Sequence, residues 1–166
     1  MENYMKLEIS AKGINEGFAR SAVAAFALSL NPSLSDLSDI KTAVSEAVTN
    51  AIVHGYAKGG TEDKILIECE AECKDGFGGI LHIKITDYGC GIEDVEKALV
   101  PFYTTLEDEE RSGMGFTIMQ TFTDGFSVVS ERGKGTTVTL IKKVGSESLC
   151  AEGLKAADRE KERMNA

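Results

Sequence analysis

Glu46 and Asn50 are the residues of this 166-residue sequence whose types and spacing first suggest chemistry. They are four positions apart in a largely apolar run, so on a helix their side chains lie on one stripe. A carboxylate can accept a proton from a hydroxyl or a water, and a carboxamide oxygen is a neutral ligand for a hard cation such as Mg²⁺. We therefore expect a general base beside a metal ligand.

The alternative for both residues is a solvated helix face. Apolar neighbours argue against that interpretation, because they predict that most of this helix is buried: Ala47, Val48, Ala51 and Ile52. A carboxylate without a function is rare in buried surroundings.

A second candidate segment contains Asp87, Gly89 and Gly91, directly after a predicted strand. The carboxylate could accept a hydrogen bond from the amine of a planar ligand, while the glycines let the ligand approach the backbone. The same pattern also fits an ordinary tight turn, which is common in proteins. Alone, this segment is a weak signal.

A third segment, Gly113-Met114-Gly115, opens a predicted helix. The free N–H groups and positive dipole end of such a helix suit a phosphate, and Arg111 adds a cation nearby. Glycine serving only as loop punctuation is the alternative. Thr136, at the start of the last predicted strand, is uninformative alone because threonine favours strands anyway.

Hydrophobic periodicity predicts the elements that position these residues. A strand at 5–9 precedes a helix that begins after Asn15, buries Phe18, Ala22, Ala25 or Phe26, and Leu30, and stops at Asn31-Pro32. A second helix, capped by Ser33 or Ser35, runs to Gly55 with an apolar stripe of Leu34, Leu37, Ile40, Val44, Val48, Ala51 and Ile52.

The remaining segments alternate between strand and helix periods. Alternating residues predict a hairpin of strands at 65–71 and 81–85, then a short helix at 93–100, a helix at 116–122 and a hairpin at 126–130 and 136–142. This order predicts an α/β (α+β) two-layer sandwich with one mixed, mostly antiparallel sheet covered by helices on one face. We expect one domain at 1–144 and a charged, flexible tail at 145–166.

Composition limits the possible partners and location. A net charge of −9 disfavours nucleic acid or an anionic membrane as a partner, because either needs a concentrated basic surface. The sequence contains no apolar stretch of membrane-spanning length and no secretory signal pattern, so we expect a cytoplasmic protein. The four cysteines form no CxxC arrangement and are interpreted as reduced thiols.

Taken together and in order, these segments resemble the nucleotide-binding domain of the GHKL superfamily over roughly residues 35–142. Within it, the sequence is similar to the sporulation anti-sigma serine kinases of the anti-sigma F type. Two segments carry this closer resemblance, residues 45–56 (SEAVTNAIVHGY) and 111–119 (RSGMGFTIM).

The resemblance implies a role for each site residue. Glu46 is then the catalytic base, Asn50 is the Mg²⁺ ligand and Asp87 is the carboxylate that contacts adenine. Thr136 is the threonine that supports adenine through the water network of that carboxylate. The other residues implied in ATP or ADP binding are Gly89, Gly91, Thr104, Thr105, Arg111, Ser112, Gly113, Met114 and Gly115. The lid that closes over the nucleotide falls at 101–112, where Leu106 and the acidic run 107–110 depart from relatives that often carry a lysine.

The resemblance also implies partners. Such kinases inhibit a sigma factor of the sigma F type, phosphorylate an anti-anti-sigma factor on serine, and form homodimers. Arg20 corresponds to the arginine that engages both protein partners, with a solvated cation as the alternative. A stress-response anti-sigma kinase, or a nucleotide-gated anti-sigma binding module without phosphotransfer, are the competing hypotheses.

Overall fold

A five-stranded sheet forms one layer of the protein, in a computed structural model that describes residues 2–56, 63–73, 78–102 and 113–145. Its strands are β1 (Glu2–Ser10), β2 (Lys64–Cys73), β3 (Gly79–Asp87), β4 (Gly125–Glu131) and β5 (Gly135–Val144). The order is β1-β2-β3-β5-β4, and every pairing is antiparallel. The predicted sandwich is confirmed, but the mixed character of the sheet is wrong, because each described strand runs opposite to its neighbours.

The helices cover one face of this sheet. They are α1 (Glu16–Ala27), α2 (Leu34–Asn50), α3 (Val95–Ala98) and α4 (Gly115–Phe122). Short 3₁₀ turns flank α1 at Gly13–Asn15 and Leu28–Leu30, and a π-helical turn at Ala51–Gly55 extends α2. The predicted helix at 93–100 is reduced to α3, which Asp94 caps by accepting a hydrogen bond from the Lys97 N–H at 3.0 Å.

The core lies between the helices and the inner face of the sheet. Ile67 pairs with Ile85, Cys69 with Ile83 and Ala71 with Leu81 across β2 and β3. All six side chains are at most 2% exposed. The predicted alternation of these two strands is confirmed, and their other face carries charged residues such as Glu68 and Lys84.

Helix α2 begins at a capping box formed by Ser33 and Asp36. The Asp36 N–H donates to Ser33 Oγ, and the Ser33 N–H donates to Asp36 Oδ2, both at 3.0 Å. Ser33, and not Ser35, is therefore the cap. Asn15 precedes α1 as predicted, but its side chain does not cap the helix, because Asn15 Nδ2 donates to the Ser10 carbonyl instead.

The predicted buried stripe of α1 is wrong by one position. Phe18 is 57% exposed, whereas smaller side chains face α2 and the sheet: Ala19, Val23, Ala24 and Ala27. Small residues let α1 approach closely, and a phenylalanine on that face would hold the layers apart. Leu30 is buried as predicted, but Leu34, at the exposed start of α2, is 87% exposed.

Lys142 on β5 connects the sheet to α2 through an ion pair and to the end of α4 through a hydrogen bond. Lys142 Nζ lies 2.6 Å from Asp39 Oδ2 and donates to the Phe122 carbonyl at 3.3 Å. The side chains are 13% and 23% exposed, so both charges are largely withdrawn from water. Removing one partner would leave the other poorly solvated.

We expect Lys142→Met to lower the free energy of unfolding by about 2 kcal/mol, because it leaves Asp39 without its cation. Urea unfolding would measure the change. Lys134→Met is the matched control, since Lys134 pairs with Glu131 on the surface, with 70% and 64% of the side chains exposed. Equal losses in both variants would contradict this account of the ion pair.

Candidate functional site

Glu46 and Asn50 face the start of α4. A Cβ atom placed on Gly115 would lie 3.0 Å from Asn50 Nδ2, 3.2 Å from Asn50 Oδ1 and 3.2 Å from Glu46 Oε2. Both side chains are partly buried, and α2 packs along α4 at this point. The structure thus brings together a carboxylate, a carboxamide and the N-terminus of a helix.

Glu46 has an altered proton affinity. Burial raises the pKa of its carboxyl group above the ordinary value, and the negative charge of Glu16 on α1 raises it further. A carboxylate with a raised pKa is a stronger base than an exposed one. Glu46 is therefore suited to accept a proton from a hydroxyl group.

Asp87 ends strand β3 and is 5% exposed. Burial raises the pKa of its carboxyl group, and hydrogen bonds from the backbone N–H groups of Gly89 and Thr136 oppose part of that rise. The Gly89 N–H lies 3.0 Å from Asp87 Oδ1. The structure thus places two of the predicted nucleotide-binding residues, Gly89 and Thr136, around the buried carboxylate of Asp87.

Two glycines allow the backbone to approach Asp87. A Cβ on Gly55 would lie 2.8 Å from Asp87 Oδ1, and a Cβ on Gly89 would lie 2.0 Å from the Gly55 carbonyl oxygen. The Cys90 N–H also donates to the Gly55 carbonyl at 2.9 Å. The end of the helix that carries Glu46 is therefore packed against Asp87 and the loop that follows it.

We expect Gly55→Ala to weaken ADP binding about tenfold or more, because the added methyl group would displace the Asp87 carboxylate. Isothermal titration calorimetry would measure the affinity. Gly13→Ala is the matched control, since an added Cβ at Gly13 meets nothing within 4 Å. Wild-type ADP affinity in a folded Gly55→Ala variant would show that Asp87 does not depend on this contact.

Two further residues hold the site in place and were missed from the sequence. The Tyr56 hydroxyl donates to the Lys64 carbonyl at 2.5 Å and accepts from the Tyr88 N–H at 2.8 Å. Ser130 Oγ accepts from the Ile92 N–H at 2.7 Å and lies 2.9 Å from Thr136 Oγ1. Tyr56 stood within a recognised segment, whereas nothing in the local sequence marks Ser130.

The other predicted residues fall in three places. Gly91, with φ of 69°, follows Asp87 in its loop, and Met114 and Gly113 directly precede α4, where the Gly113 carbonyl accepts from the Phe102 N–H. Arg20 lies on α1, 45% exposed. The remaining predictions fall outside the described residues. They concern Thr104, Thr105, Arg111, Ser112, the acidic run 107–110 and the tail from 146.

The donor set near Asn50 limits how a cation could be held. In the described ranges, no three His, Cys, Asp or Glu side chains form a cluster able to bind a metal ion. A Mg²⁺ ion at this site would use the Asn50 oxygen, with further oxygen ligands from phosphates and water.

Within the described ranges, no helix has the length and apolar character needed to cross a membrane.

The site and fold match a known class of domain. Residues 10–142 match the family model described as a histidine kinase-like ATPase domain. The chain therefore belongs to the histidine kinase-like ATPases, the class that the GHKL resemblance predicted.

Curated relatives identify the family within this class to which the chain belongs. Anti-sigma F factors from Clostridium botulinum and a Thermoanaerobacter species are 55% identical over 142 residues and 51% identical over 146 residues. These alignments cover 86% and 87% of this chain, and 95% and 96% of the relatives. An anti-sigma F factor from Clostridium perfringens is 49% identical, with 88% of this chain and the whole relative covered. The chain belongs to the anti-sigma F factor family.

Solved structures share the fold. A crystal structure of the RsbU and RsbW domains of a Mycobacterium tuberculosis protein aligns with a TM-score of 0.58 at 19% identity over 86% of this chain. Full-length ShkA in complex with AMPPNP aligns with a TM-score of 0.50 at 16% identity over 80% of this chain. This chain spans about a third of each of those chains, 32% and 31%.

Proposed function

We propose that this chain is an anti-sigma factor that binds and inhibits a sigma F-type sporulation sigma factor. We also propose that it is an ATP-dependent protein-serine kinase that phosphorylates and inactivates the anti-anti-sigma factor. One observation carries the kinase proposal: Glu46 and Asn50 meet at Gly115, the first residue of α4. A base, a cation ligand and a phosphate-binding helix end converge there.

Asp87 supplies the adenine end of the nucleotide site. Its buried carboxylate can accept a hydrogen bond from the exocyclic amine of adenine, a contact that favours ATP over nucleotides without this donor. Gly89 and Gly91 leave room for the purine ring at the backbone. ShkA, which contains a domain of the same fold, was solved in complex with AMPPNP, and this supports nucleotide binding by this chain.

The triphosphate extends from Asp87 toward α4. The N–H groups at the start of α4 and its positive dipole end stabilise phosphate charge. Asn50 is placed to hold Mg²⁺ on the phosphates, and that ion, when bound, neutralises charge that develops during transfer. The partly buried setting of Asn50 strengthens these interactions relative to those in water.

Glu46 acts on the acceptor. A serine Oγ of the anti-anti-sigma factor attacks the γ-phosphorus while Glu46 accepts the hydroxyl proton. The bond between the γ-phosphorus and the β–γ bridging oxygen breaks, and ADP leaves with that oxygen. The products are phosphoserine, ADP and a protonated Glu46, which then returns its proton to solvent.

Arg20 is the proposed contact for both protein partners. Its guanidinium is 45% exposed on α1 and can pair with an acidic side chain of a partner. We further propose that the chain forms a homodimer, as the family resemblance implies, and that it acts in the cytoplasm. The relatives' name, anti-sigma F factor, supports a sigma factor as one partner.

Mass spectrometry of a serine-bearing anti-anti-sigma factor, incubated with the chain, ATP and Mg²⁺, tests the proposal. We expect phosphate on one serine, none on a partner with that serine replaced by alanine, and sigma F-type factor retained by the nucleotide-loaded chain. Sigma factor retention without a modified serine would identify a nucleotide-gated binding module. Retention of a stress-type sigma factor instead would identify the stress-response kinase.

A further inference from the structure

Asp87, Thr136 and Ser130 form a polar row across three neighbouring strands. Thr136 on β5 is the register partner of Asp87 on β3 and of Ser130 on β4. The row continues in the other direction as Ile65 and Ile9, which belong to the buried core, so it lies on the helix-covered face of the sheet. The row therefore changes from apolar to polar at Asp87, where the adenine end of the nucleotide site is proposed.

Ser130 has a complete set of hydrogen bonds. Its Oγ accepts from the Ile92 N–H at 2.7 Å and lies 3.0 Å from the Gly135 carbonyl oxygen. A carbonyl oxygen can only accept, so the single Ser130 hydroxyl proton is donated to Gly135. The third partner of Ser130 Oγ is Thr136 Oγ1, at 2.9 Å. Because Ser130 has no second proton to offer, Thr136 donates this hydrogen bond.

The direction of this hydrogen bond decides what Thr136 can offer to a ligand. A hydroxyl group has one proton and two lone pairs, and the Thr136 hydroxyl proton is committed to Ser130. The Thr136 backbone N–H donates to the Asp87 carboxylate. Towards a ligand, Thr136 Oγ1 is therefore an acceptor, like the carboxylate of Asp87 beside it.

We propose that Ser130 is a positioning residue that sets the base specificity of the site. By accepting the Thr136 proton, it makes Thr136 a second acceptor, beside Asp87, at the six-position of the purine. Adenine carries an amine at that position, which donates hydrogen bonds, whereas hypoxanthine carries an oxo group, which only accepts them. This inference rests on the proposed function, in which Asp87 receives adenine.

Burial makes this arrangement selective. Thr136 is 8% exposed and Asp87 is 5% exposed, so little water is available to relieve a mismatched contact. A buried acceptor placed against an oxo group loses its hydration without gaining a hydrogen bond. A Thr136 hydroxyl that was free to rotate could donate to the oxo group and relieve part of this mismatch. Ser130 prevents that rotation.

Calorimetric titration of the full chain with ADP and with IDP, in the presence of Mg²⁺, tests the assignment. IDP carries the oxo group, and the use of diphosphates avoids phosphate transfer during the measurement. We expect Ser130→Ala to lower the preference for ADP over IDP about five- to thirtyfold, mainly through tighter IDP binding. Ser130→Thr keeps the hydroxyl group and should retain most of the preference.

Two comparisons test whether the effect passes through Thr136. In a Thr136→Val background, which has no hydroxyl proton to orient, Ser130→Ala should change the preference by less than about twofold. Thr86→Val is the matched control and should keep the wild-type preference. Thr86 Oγ1 lies 3.1 Å from Thr137 Oγ1, in a hydroxyl pair one position further along β3 and β5, on the opposite face of the sheet.

Equal losses of ADP and IDP affinity in Ser130→Ala, or an unchanged preference, would overturn the assignment, because Ser130 would then only support the backbone at Ile92. A full fall in preference in the Thr136→Val background would overturn it as well, since Ser130 would act without Thr136. A wild-type chain that binds neither ADP nor IDP would overturn the proposed nucleotide site and this assignment together. Failure of the assignment alone is thus recognised by a wild-type chain that binds ADP and a preference that does not depend on Ser130.

Discussion

Glu46→Gln is expected to slow transfer of the γ-phosphoryl group to serine by about 10²- to 10⁴-fold, the range typical of a lost general base. Glutamine keeps the shape of the side chain beside Gly115 but cannot accept the hydroxyl proton. Because Glu46 acts on the acceptor, ADP affinity should stay within about twofold of wild type. Rapid-quench kinetics and calorimetry would measure the two quantities.

The pH dependence of transfer provides an independent check on Glu46. Only the ionised carboxylate accepts a proton, so the rate should fall as the pH drops through the pKa of Glu46, which burial raises. This decrease of the rate at low pH, the acidic limb of the pH profile, should be absent in Glu46→Gln. Glu8→Gln, on the opposite face of the sheet, should keep both the rate and the limb. Wild-type kinetics in Glu46→Gln would rule out this base.

Asp87→Asn is the second large expected effect, a loss of ATP affinity of about 10- to 100-fold. A hydrogen bond to a charged group contributes about 1.5 to 3 kcal/mol, and each 1.4 kcal/mol is tenfold in affinity. The loss of nucleotide affinity should depend on the exocyclic amine of adenine. Wild type should therefore prefer ATP over ITP, which has an oxo group in place of the amine, and Asp87→Asn should lose most of that preference.

Stability measurements separate recognition from folding at Asp87. Burial raises the pKa of Asp87 in the folded state, so the folded chain binds this proton more tightly than the unfolded chain. The ionised carboxylate therefore lowers the free energy of unfolding at neutral pH, and this cost disappears as the pH falls below the unfolded pKa. Asp87→Asn removes that charge and should melt no lower than wild type at pH 7. A large drop in melting temperature would assign the affinity loss to misfolding.

Much of the fold followed from periodicity. The alternation of Ile65, Ile67 and Cys69 was sufficient to assign β2 and its inner face, since a period of two has only two possible phases. A helical period leaves more possible choices of which residues face the core. Phe18 and Ala19 are both apolar, and only the packing distance between α1 and its neighbours decides that the smaller one lies inside.

Part of the candidate site could be predicted from the sequence for a similar reason. Glu46 and Asn50 were assigned to one stripe because their separation of four depends only on the helix between them. That Gly115 would meet both could not be derived from spacing, because the contact joins two helices separated by more than sixty residues. Ser130 and Glu16 also contact residues distant in the sequence, the Ile92 N–H and Ser45 Oγ, and their local sequence contains no corresponding pattern.

A single-turnover experiment tests the central claim most directly. The wild-type chain is loaded with γ-labelled ATP and Mg²⁺, mixed with excess serine-bearing anti-anti-sigma factor, and the label is followed in ATP, free phosphate and partner protein. The account predicts that most of the bound label moves to one partner serine, approaching one phosphoserine per loaded site. Label that stays in ATP, or leaves only as free phosphate while the partner is bound, would contradict it.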